Sequence, residues 1–309
     1  MKIAFLFSGQ GAQFHGMMKD ITEKNESAKS VFEVADKTLG RSISDLCFSG
    51  TEEDLALTHN TQPCVLAADL AAYKALDSAG IKADAVAGFS LGEYAALVAA
   101  GVIDINDAFQ LIQKRADYMQ EAVPVGRGGM AAVMKLSSEE VSALCDEVDG
   151  YLIPTNYNCP GQIVVSGEAD AIDKLCELAK ERKIRAVKLA VSAPFHCELM
   201  KSAAEKLEKT LNNIEFNNSK IPVFMNVDAC AENDKEIIKE KVIKQTYSSV
   251  KWEKTILNMV DAGIDTFIEL GPGKTLSGFV KKTIKEDGIQ IYNVTDLESF
   301  HNTLDNIIR

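Results

Sequence analysis

The sequence predicts an α/β protein built on a mostly parallel sheet, with a smaller unit inserted into the chain. Three observations predict this fold class. Short apolar runs without alternation, typical of strands buried on both faces, recur between stretches of helical periodicity. One of these runs leads into a serine-centred turn and a helix rich in small residues. In the middle of the chain the order changes to strand, helix, strand, strand, helix, strand.

Composition narrows the possible functions. The 309 residues suffice for one large domain or two domains. A net charge of −12, from 33 basic and 45 acidic residues, argues against nucleic-acid binding. Seven scattered cysteines without a C-x-x-C pair, with four scattered histidines, argue against a disulfide framework and a metal site. The N-terminal apolar run is too short for a signal peptide, so we expect a cytoplasmic protein.

The first predicted strand, Ile3 to Phe7, ends at the glycine-rich turn Ser8-Gly9-Gln10-Gly11-Ala12-Gln13. Such a turn presents backbone N–H groups to an anion. Three interpretations stay open here. A dinucleotide site lacks its third glycine, because Phe14 stands in that place. The turn could instead supply one donor of an oxyanion hole, or be a plain tight turn.

Helical periodicity follows to about Leu39 and again from Glu52 to Leu57. Gln62-Pro63 is then predicted to open a long helix from Cys64 to Ala79. Gly80 stands at the position where a left-handed residue commonly ends a helix.

The next element, a strand from Ala85 to Ala87, leads into Gly88-Phe89-Ser90-Leu91-Gly92. This segment fits G-x-S-x-G, the nucleophile elbow, in which glycines on both sides of the serine allow strand and helix to approach closely. A chance match and a membrane span are the competing interpretations. Glu93 within the run, with Asp84 and Asp104 beside it, argues against a span. We interpret Ser90 as a catalytic nucleophile.

A helix from Ile105 to Glu121 follows, and Arg115 lies on its apolar face one turn before Met119. An arginine in that position needs a partner, because burying it alone is costly. A structural salt bridge or a side chain reaching to water explains the pattern as well as a binding site does.

From Pro124 the inserted unit begins, and its order, βαββαβ, predicts a ferredoxin-like small domain over residues 125–195. Residues 1–124 and 196–309 then form the large domain. The predicted elements of the insert are Met130–Leu136, Ser138–Val148, Tyr151–Asn158, Gln162–Ser166, Ala169–Arg182 and Ile184–Val191.

Ser192-Ala193-Pro194-Phe195-His196 closes the insert, and His196 is predicted to open a helix to about Leu211. Strands are predicted at Pro222–Val227, Thr266–Leu270 and Ile289–Val294. Helices are predicted at Lys235–Tyr247, Val250–Ala262, Thr275–Lys285 and Leu297–Ile307.

An elbow serine needs a base, and histidine is the usual one. His196 stands at a junction that re-enters the large domain, well after the serine in chain order, and a proline precedes it. A helix-capping role is the alternative. No Asp or Glu at a strand end lies between Ser90 and His196 outside the insert. Something other than a carboxylate is therefore expected to orient the imidazole.

Together, these segments resemble the malonyl-CoA:acyl carrier protein transacylase family over essentially the whole chain. The segments are FSGQGAQ, QP at 62–63, GFSLGEYAALVAAGVID, QKRADYMQEAVP, NYNCPGQIVVSG, APFH, VIKQTYSSVKW and ELGPGKTLSG. The resemblance implies a hydrolase-like α/β domain with a ferredoxin-like insert. It also implies transfer of a malonyl group from malonyl-CoA to acyl carrier protein in fatty acid biosynthesis, without a cofactor, a metal, a nucleic acid or a membrane.

The resemblance also implies roles for individual residues. Ser90 carries the acyl group, His196 is its base, and the backbone carbonyl of Gln245 orients the imidazole. The N–H groups of Gln10 and Leu91 form the oxyanion hole. Arg115 binds the free malonyl carboxylate through two parallel hydrogen bonds. The predicted acyl pocket also contains Met119 and Phe195, and core packing is an equal explanation for Phe195.

The chain departs from the family pattern at Phe89, where histidine is common, and at Ser8, where proline is usual. Two further functions compete with acyl transfer: an esterase or thioesterase that uses the same serine, and a module with a vestigial elbow. A basic run in this acidic chain is a candidate docking site for an acidic carrier protein, or simply a solvated face. Its members are Lys180, Arg182, Lys183, Arg185 and Lys188.

Overall fold

The computed structural model describes residues 1–191 and 193–308, and within them the strands form two separate sheets. Ser192, part of the segment predicted to close the insert, lies outside the described residues. The strands are β1 Ile3–Phe7, β2 Ala85–Gly88, β3 Gly128–Met134, β4 Leu152–Cys159, β5 Gln162–Glu168, β6 Arg185–Lys188, β7 Val223–Phe224, β8 Ala231–Glu232, β9 Thr266–Leu270 and β10 Gln290–Val294.

Helices cover both faces of the larger sheet and one face of the smaller sheet. They are α1 Lys19–Lys24, α2 Glu26–Leu39, α3 Ile43–Ser49, α4 Glu52–Ala56, α5 Thr58–Ser78, α6 Gly92–Ala99, α7 Ile105–Ala122, α8 Ser138–Asp146, α9 Ala169–Glu181, α10 Lys201–Leu211, α11 Lys235–Gln245, α12 Trp252–Asp261, α13 Thr275–Thr283 and α14 Leu297–Ile307. A 3₁₀ turn, Glu198–Met200, precedes α10. No helix in the described part of the chain is long and apolar enough to cross a bilayer.

The larger sheet has the order β10-β9-β1-β2-β7-β8, and every pair is parallel except β7 with β8. Strand β1 is buried on both sides, as its lack of alternation predicts. Phe5 and Phe7 belong to the core that includes α5, whereas Ala4 and Leu6 belong to the core that includes α12 and α13. The predicted α/β class with a mostly parallel sheet is confirmed.

The smaller sheet, with the order β4-β5-β3-β6, is antiparallel throughout. It packs α8 and α9 on one face. Two backbone hydrogen bonds join β4 to the large unit: Tyr157 N–H donates to Val250 O, and Val250 N–H donates to Thr155 O. The domain boundaries, 1–124 with 196–309 and 125–195, stay a prediction.

The helix predicted to begin after Pro63 begins instead at Thr58, with Pro63 inside it. Proline cannot donate to the carbonyl four residues earlier, which is that of His59. That carbonyl instead accepts hydrogen bonds from Arg41 Nη2 at 2.9 Å and Gln113 Nε2 at 3.3 Å. Two side chains, one from the segment between α2 and α3 and one from α7, therefore compensate for the missing bond, and the helix continues through the proline.

Two predictions after the insert are also wrong in detail. The strand predicted at Pro222–Val227 is only Val223–Phe224, because Met225 N–H bonds across a turn to Cys230 and Asn226 N–H bonds to a side chain. His196 does not open a helix: it lies on a turn with φ of 62°, two residues before the 3₁₀ turn.

Candidate active site

The elbow occurs where the sequence predicts it, at the carboxyl end of β2. Ser90 has φ of 55°, a left-handed conformation that is strained for a residue with a side chain. A Cβ on Gly88 would lie 1.9 Å from the carbonyl carbon of Gly92, and one on Gly92 would lie 2.4 Å from Phe7 O. Glycine at these two positions therefore permits the close contact between β1, β2 and α6 that forms the turn.

Asn226, which follows β7, holds the turn from the neighbouring strand. Its Oδ1 accepts the Ser90 N–H at 2.8 Å, and its Nδ2 donates to Gly88 O at 2.7 Å. These two bonds satisfy backbone groups that the strained turn removes from regular secondary structure. Asn226 thus fixes the backbone that carries the serine.

The Ser90 hydroxyl faces a buried imidazole. Ser90 Oγ lies 2.7 Å from His196 Nε2, and His196 Nδ1 lies 2.9 Å from the backbone oxygen of Gln245. Because a carbonyl oxygen only accepts, Nδ1 carries the proton and Nε2 is free to take one from the serine. Burial, with a smaller effect of the Arg115 charge, lowers the pKa of His196 to about 4. The imidazole is therefore neutral at pH 7.

Arg115 lies in the same cavity, 1% exposed. Its Nη1 donates to Gln62 Oε1 at 2.8 Å, and its Nη2 donates to Gln245 Oε1 and Ser90 Oγ, each at 3.0 Å. Its guanidinium lies 5.6 Å from the Tyr94 ring centroid. Within the described residues it forms no ion pair with a carboxylate. The salt-bridge interpretation of this arginine is therefore wrong, and so is the interpretation that it reaches to water.

The nearest acidic group of the network, Glu93, is completely buried behind the elbow. Its Oε2 accepts the Asn226 N–H at 2.7 Å and its Oε1 accepts Gln245 Nε2 at 3.2 Å. Burial raises the pKa of Glu93 to about 8, although the hydrogen bonds and the Arg115 charge act in the opposite direction. Gln245 therefore stands between Glu93 and the arginine.

The residues expected to form an oxyanion hole flank the serine. Gln10 follows β1 and Leu91 directly precedes α6, and neither backbone N–H has a hydrogen-bond partner within the described residues. Helix α6 adds the positive end of its dipole at this point. Two free donors beside the nucleophile suit a developing negative charge on a substrate oxygen.

A cavity of about 440 Å³ joins these groups, and its wall is largely apolar. Met119, Phe195 and Phe89 line it. Phe89 packs edge-on against Trp252, with ring centroids 5.4 Å apart, and also contacts Phe279. The aromatic residue that replaces the family's usual histidine is thus held in an aromatic cluster at the cavity wall. The hydroxyl of Ser8, the second departure, lies 3.2 Å from the carbonyls of Leu270 and Pro272.

The other histidines lie elsewhere. His15 contacts Gly50 O, His59 pairs with Asp117 at 2.6 Å, and His301 packs edge-on against Phe300. The described residues contain no cluster of three or more His, Cys, Asp or Glu side chains suited to a metal ion.

Three members of the network were assigned no functional role from the sequence: Gln62, Glu93 and Asn226. The sequence contained a pattern that could have indicated each of them. Glu93 is a charged residue within an apolar helix, and Asn226 is a polar residue at the carboxyl end of a parallel strand. Gln62 is the first residue of the Gln62-Pro63 pair that resembles the family.

The chain was compared with known protein families, sequences and structures. Residues 4–301 match the acyl transferase domain family. The chain is 48% identical over 285 residues to a malonyl CoA-acyl carrier protein transacylase of Bacillus subtilis strain 168, covering 91% of this chain and 90% of that protein. The crystal structure of malonyl CoA-acyl carrier protein transacylase from Clostridium perfringens has a TM-score of 0.94 and 43% identity, covering 100% of this chain and 98% of that one. A chain in the structure of a type II PKS acyl-carrier protein in complex with its malonyl-transacylase has a TM-score of 0.95 and 37% identity, covering 99% and 100%.

Proposed function

The chain belongs to the malonyl-CoA:acyl carrier protein transacylase family, and on that premise we propose that it transfers malonyl groups from malonyl-CoA to acyl carrier protein through an ester on Ser90. This enzyme serves fatty acid biosynthesis. One observation carries the mechanism: Ser90 Oγ lies 2.7 Å from the nitrogen of a neutral imidazole and 3.0 Å from a buried guanidinium. Nucleophile, base and a cation for the substrate carboxylate therefore converge on one atom.

In the first half-reaction, Ser90 Oγ attacks the thioester carbonyl and its proton moves to His196 Nε2. The Nδ1–H bond to Gln245 O holds the ring and stabilises the imidazolium that forms. The substrate oxygen becomes negative and is stabilised by the N–H groups of Gln10 and Leu91. When the C–S bond breaks, His196 returns the proton to the departing CoA sulfur. The second half-reaction is the reverse, with the phosphopantetheine thiol of the carrier as the nucleophile.

Arg115 supplies the selectivity for a substrate with a free carboxylate. In the free protein its donors are bonded to two amide oxygens and to the serine hydroxyl, all of which are neutral acceptors. The malonyl carboxylate is a stronger acceptor and displaces them. This releases Ser90 Oγ from Arg115 and neutralises a charge that lowers the pKa of His196. Malonyl binding therefore frees the nucleophile and makes its base stronger, whereas an acetyl group does neither.

The order β4-β5-β3-β6 and its antiparallel pairing support a ferredoxin-like description of residues 125–195. The proposal needs no cofactor or metal, because the reaction balances with the groups named. A cytoplasmic location fits the supply of both acyl donor and carrier.

The test is CoA release from malonyl-CoA, measured with and without holo carrier protein, and with Ser90→Ala as the inactive control. The proposal expects one equivalent of CoA without the carrier, then turnover that depends on the carrier thiol. With malonyl-CoA labelled in its malonyl group, it expects no label to become attached to the Ser90→Ala protein. Sustained release without carrier thiol indicates a thioesterase and refutes the transfer. Label that persists on Ser90→Ala places the nucleophile elsewhere.

A further inference from the structure

A carboxyl group with no part in the chemistry above is buried beside Ser8, where the glycine-rich turn after β1 begins. Asp69, on α5, is completely buried. Neither of its side-chain oxygens has a hydrogen-bond partner within the described residues. Burying an ionised carboxylate without a partner is so costly that such a group takes up a proton instead. Asp69 is therefore a neutral acid, and its O–H is a donor that needs an acceptor.

The Ser8 hydroxyl is in place to accept. A Cβ on Gly271, whose φ is 109°, would lie 1.8 Å from Asp69 Oδ1 and 3.0 Å from Ser8 Oγ. The glycine thus leaves room for the carboxyl, and the carboxyl and the hydroxyl are neighbours. Ser8 Oγ has one hydrogen and faces two carbonyls, those of Leu270 and Pro272, each at 3.2 Å. Its lone pairs remain free to accept a hydrogen bond.

A second buried carboxyl, that of Glu269, explains which of the two acids holds the proton. Glu269 accepts the N–H groups of Leu276 at 3.0 Å and Ser277 at 2.7 Å. Burial raises its pKa, and these bonds act against the rise. Burial also raises the pKa of Asp69 well above its usual range; the Glu269 charge adds to this, whereas the nearby Ser8 N–H and O–H oppose it. Without donors of its own, Asp69 is the acid that stays neutral.

Ser8 begins the turn that carries the Gln10 N–H, and this turn lies against the elbow. A Cβ on Gly92 would lie 2.4 Å from Ser8 O. One residue further on, a Cβ on Gly9 would lie 2.8 Å from Phe89 O. The two backbones are therefore in direct contact, and a displacement of Ser8 changes where the Gln10 N–H points relative to the nucleophile.

We propose that Asp69 donates its carboxyl proton to Ser8 Oγ and through this hydrogen bond positions the Gln10 N–H of the oxyanion hole. Asp69 touches no reacting atom and is a positioning residue. The inference rests on the proposed function, because it assumes that Gln10 stabilises the oxyanion formed when Ser90 is acylated. A neutral donor suits this place, since a carboxylate charge beside the turn would oppose the negative charge that develops on the substrate.

The experiment measures CoA release in a single turnover of the full-length protein, before carrier is added, over a range of malonyl-CoA concentrations. For Asp69→Ala we expect the maximal rate to fall about tenfold to a hundredfold, as for a displaced oxyanion donor. The malonyl-CoA concentration at half-maximal rate should stay unchanged. Asp69→Asn, which keeps a neutral donor of the same size, should retain most of the rate.

Two further variants separate positioning from stability. Leu70→Ala removes a buried side chain from the next position of α5, outside the catalytic cavity. It should lower the melting temperature and leave the maximal rate unchanged. Ser8→Ala should reproduce the loss of Asp69→Ala, and the double variant should be no slower than either. If Asp69→Ala does not fold, Asp69→Leu, of similar shape but without a donor, takes its place.

The remaining outcomes overturn the inference. A similar loss of rate in Leu70→Ala indicates a general loosening of α5. Asp69→Asn as slow as Asp69→Ala shows that a donor at this position does not hold the turn. Additive losses in the double variant show that Asp69 and Ser8 act independently. A raised half-saturating concentration assigns Asp69 to substrate binding, and an unchanged rate in Asp69→Ala removes its role. If malonyl-CoA does not acylate the wild type, the proposed function itself fails, which is a different result from all of these.

Discussion

Replacing Arg115 with alanine removes the cation whose Nη2 lies 3.0 Å from Ser90 Oγ. In the malonyl complex two charge-assisted hydrogen bonds are lost, at about 1.5–3 kcal/mol each. The sum, about 3–6 kcal/mol, corresponds to a loss of roughly 10² to 10⁴ in kcat/KM for malonyl-CoA. Acetyl-CoA has no carboxylate, so its kcat/KM should stay level or rise. The preference for malonyl over acetyl should therefore nearly disappear.

The assay is the rate of CoA release from each thioester, measured before carrier is added. Because Arg115 is buried, alanine also leaves a cavity, so Arg115→Met serves as a variant of similar length and should show the same loss of preference. Arg115→Lys keeps the positive charge but loses the two-pronged hydrogen-bonding geometry of the guanidinium. Its preference for malonyl-CoA should lie between those of the wild type and Arg115→Met. An undiminished preference for malonyl-CoA in a folded Arg115→Met protein would refute the role of the guanidinium.

Three further predictions concern the groups around it. The kcat/KM for malonyl-CoA should be flat from about pH 5 to 7 and fall only towards pH 4, because burial lowers the pKa of His196 in the substrate-free enzyme to about 4. A fall in kcat/KM centred near pH 6.5 would contradict this. Asn226→Ala should lower kcat by about tenfold to a hundredfold, because the backbone groups left without hydrogen bonds cost about 1–3 kcal/mol. The KM for malonyl-CoA should stay nearly unchanged. An unchanged kcat would show that the turn keeps its conformation without Asn226. Because the pKa of Glu93 is raised to about 8 in the folded state, the native protein binds more protons than the unfolded chain, and stability falls as the pH rises from about 4.5 to 8. Urea unfolding of Glu93→Gln should show a shallower fall over that range, and identical slopes exclude this titration.

How far the sequence predicts this site depends on how local each signal is. The elbow is local: five residues contain the glycines whose absent side chains permit the turn, so Ser90 could be identified directly. Helical spacing placed Arg115 on an apolar face without deciding whether it is buried, and its partners come from α5 and α11, 53 and 130 residues away. Spacing along one helix carries no information about such partners.

The fold also divides into elements predicted by local sequence signals and elements that depend on distant residues. Strands β1 and β9 have the predicted bounds because each leads directly into a glycine-containing turn, Ser8-Gly9 after β1 and Gly271 after β9. The start of α5 was misplaced because the groups that compensate for Pro63 lie on Arg41, between α2 and α3, and on Gln113 of α7. The turn at His196 was misplaced because its conformation depends on contacts with the elbow and α11, not on the residues beside it.

The partners of Arg115 also explain why the site can bind a carboxylate at all. A direct carboxylate partner would satisfy the guanidinium permanently and compete with the substrate. Here amide oxygens hold the guanidinium, and Glu93, whose pKa burial raises to about 8, lies on the far side of Gln245. Gln62→Glu tests this directly, because it places a carboxylate where the amide oxygen now lies 2.8 Å from Nη1.

We expect Gln62→Glu to reduce kcat/KM for malonyl-CoA by about tenfold or more, since the substrate must displace an anion rather than an amide. The kcat/KM for acetyl-CoA should change little, and the melting temperature should not fall. Gln62→Met, which offers no anion, is the matched control and should retain most of the malonyl preference. If Gln62→Glu keeps the full preference for malonyl-CoA, the site does not owe its selectivity to the uncharged amide oxygens that bind the Arg115 guanidinium.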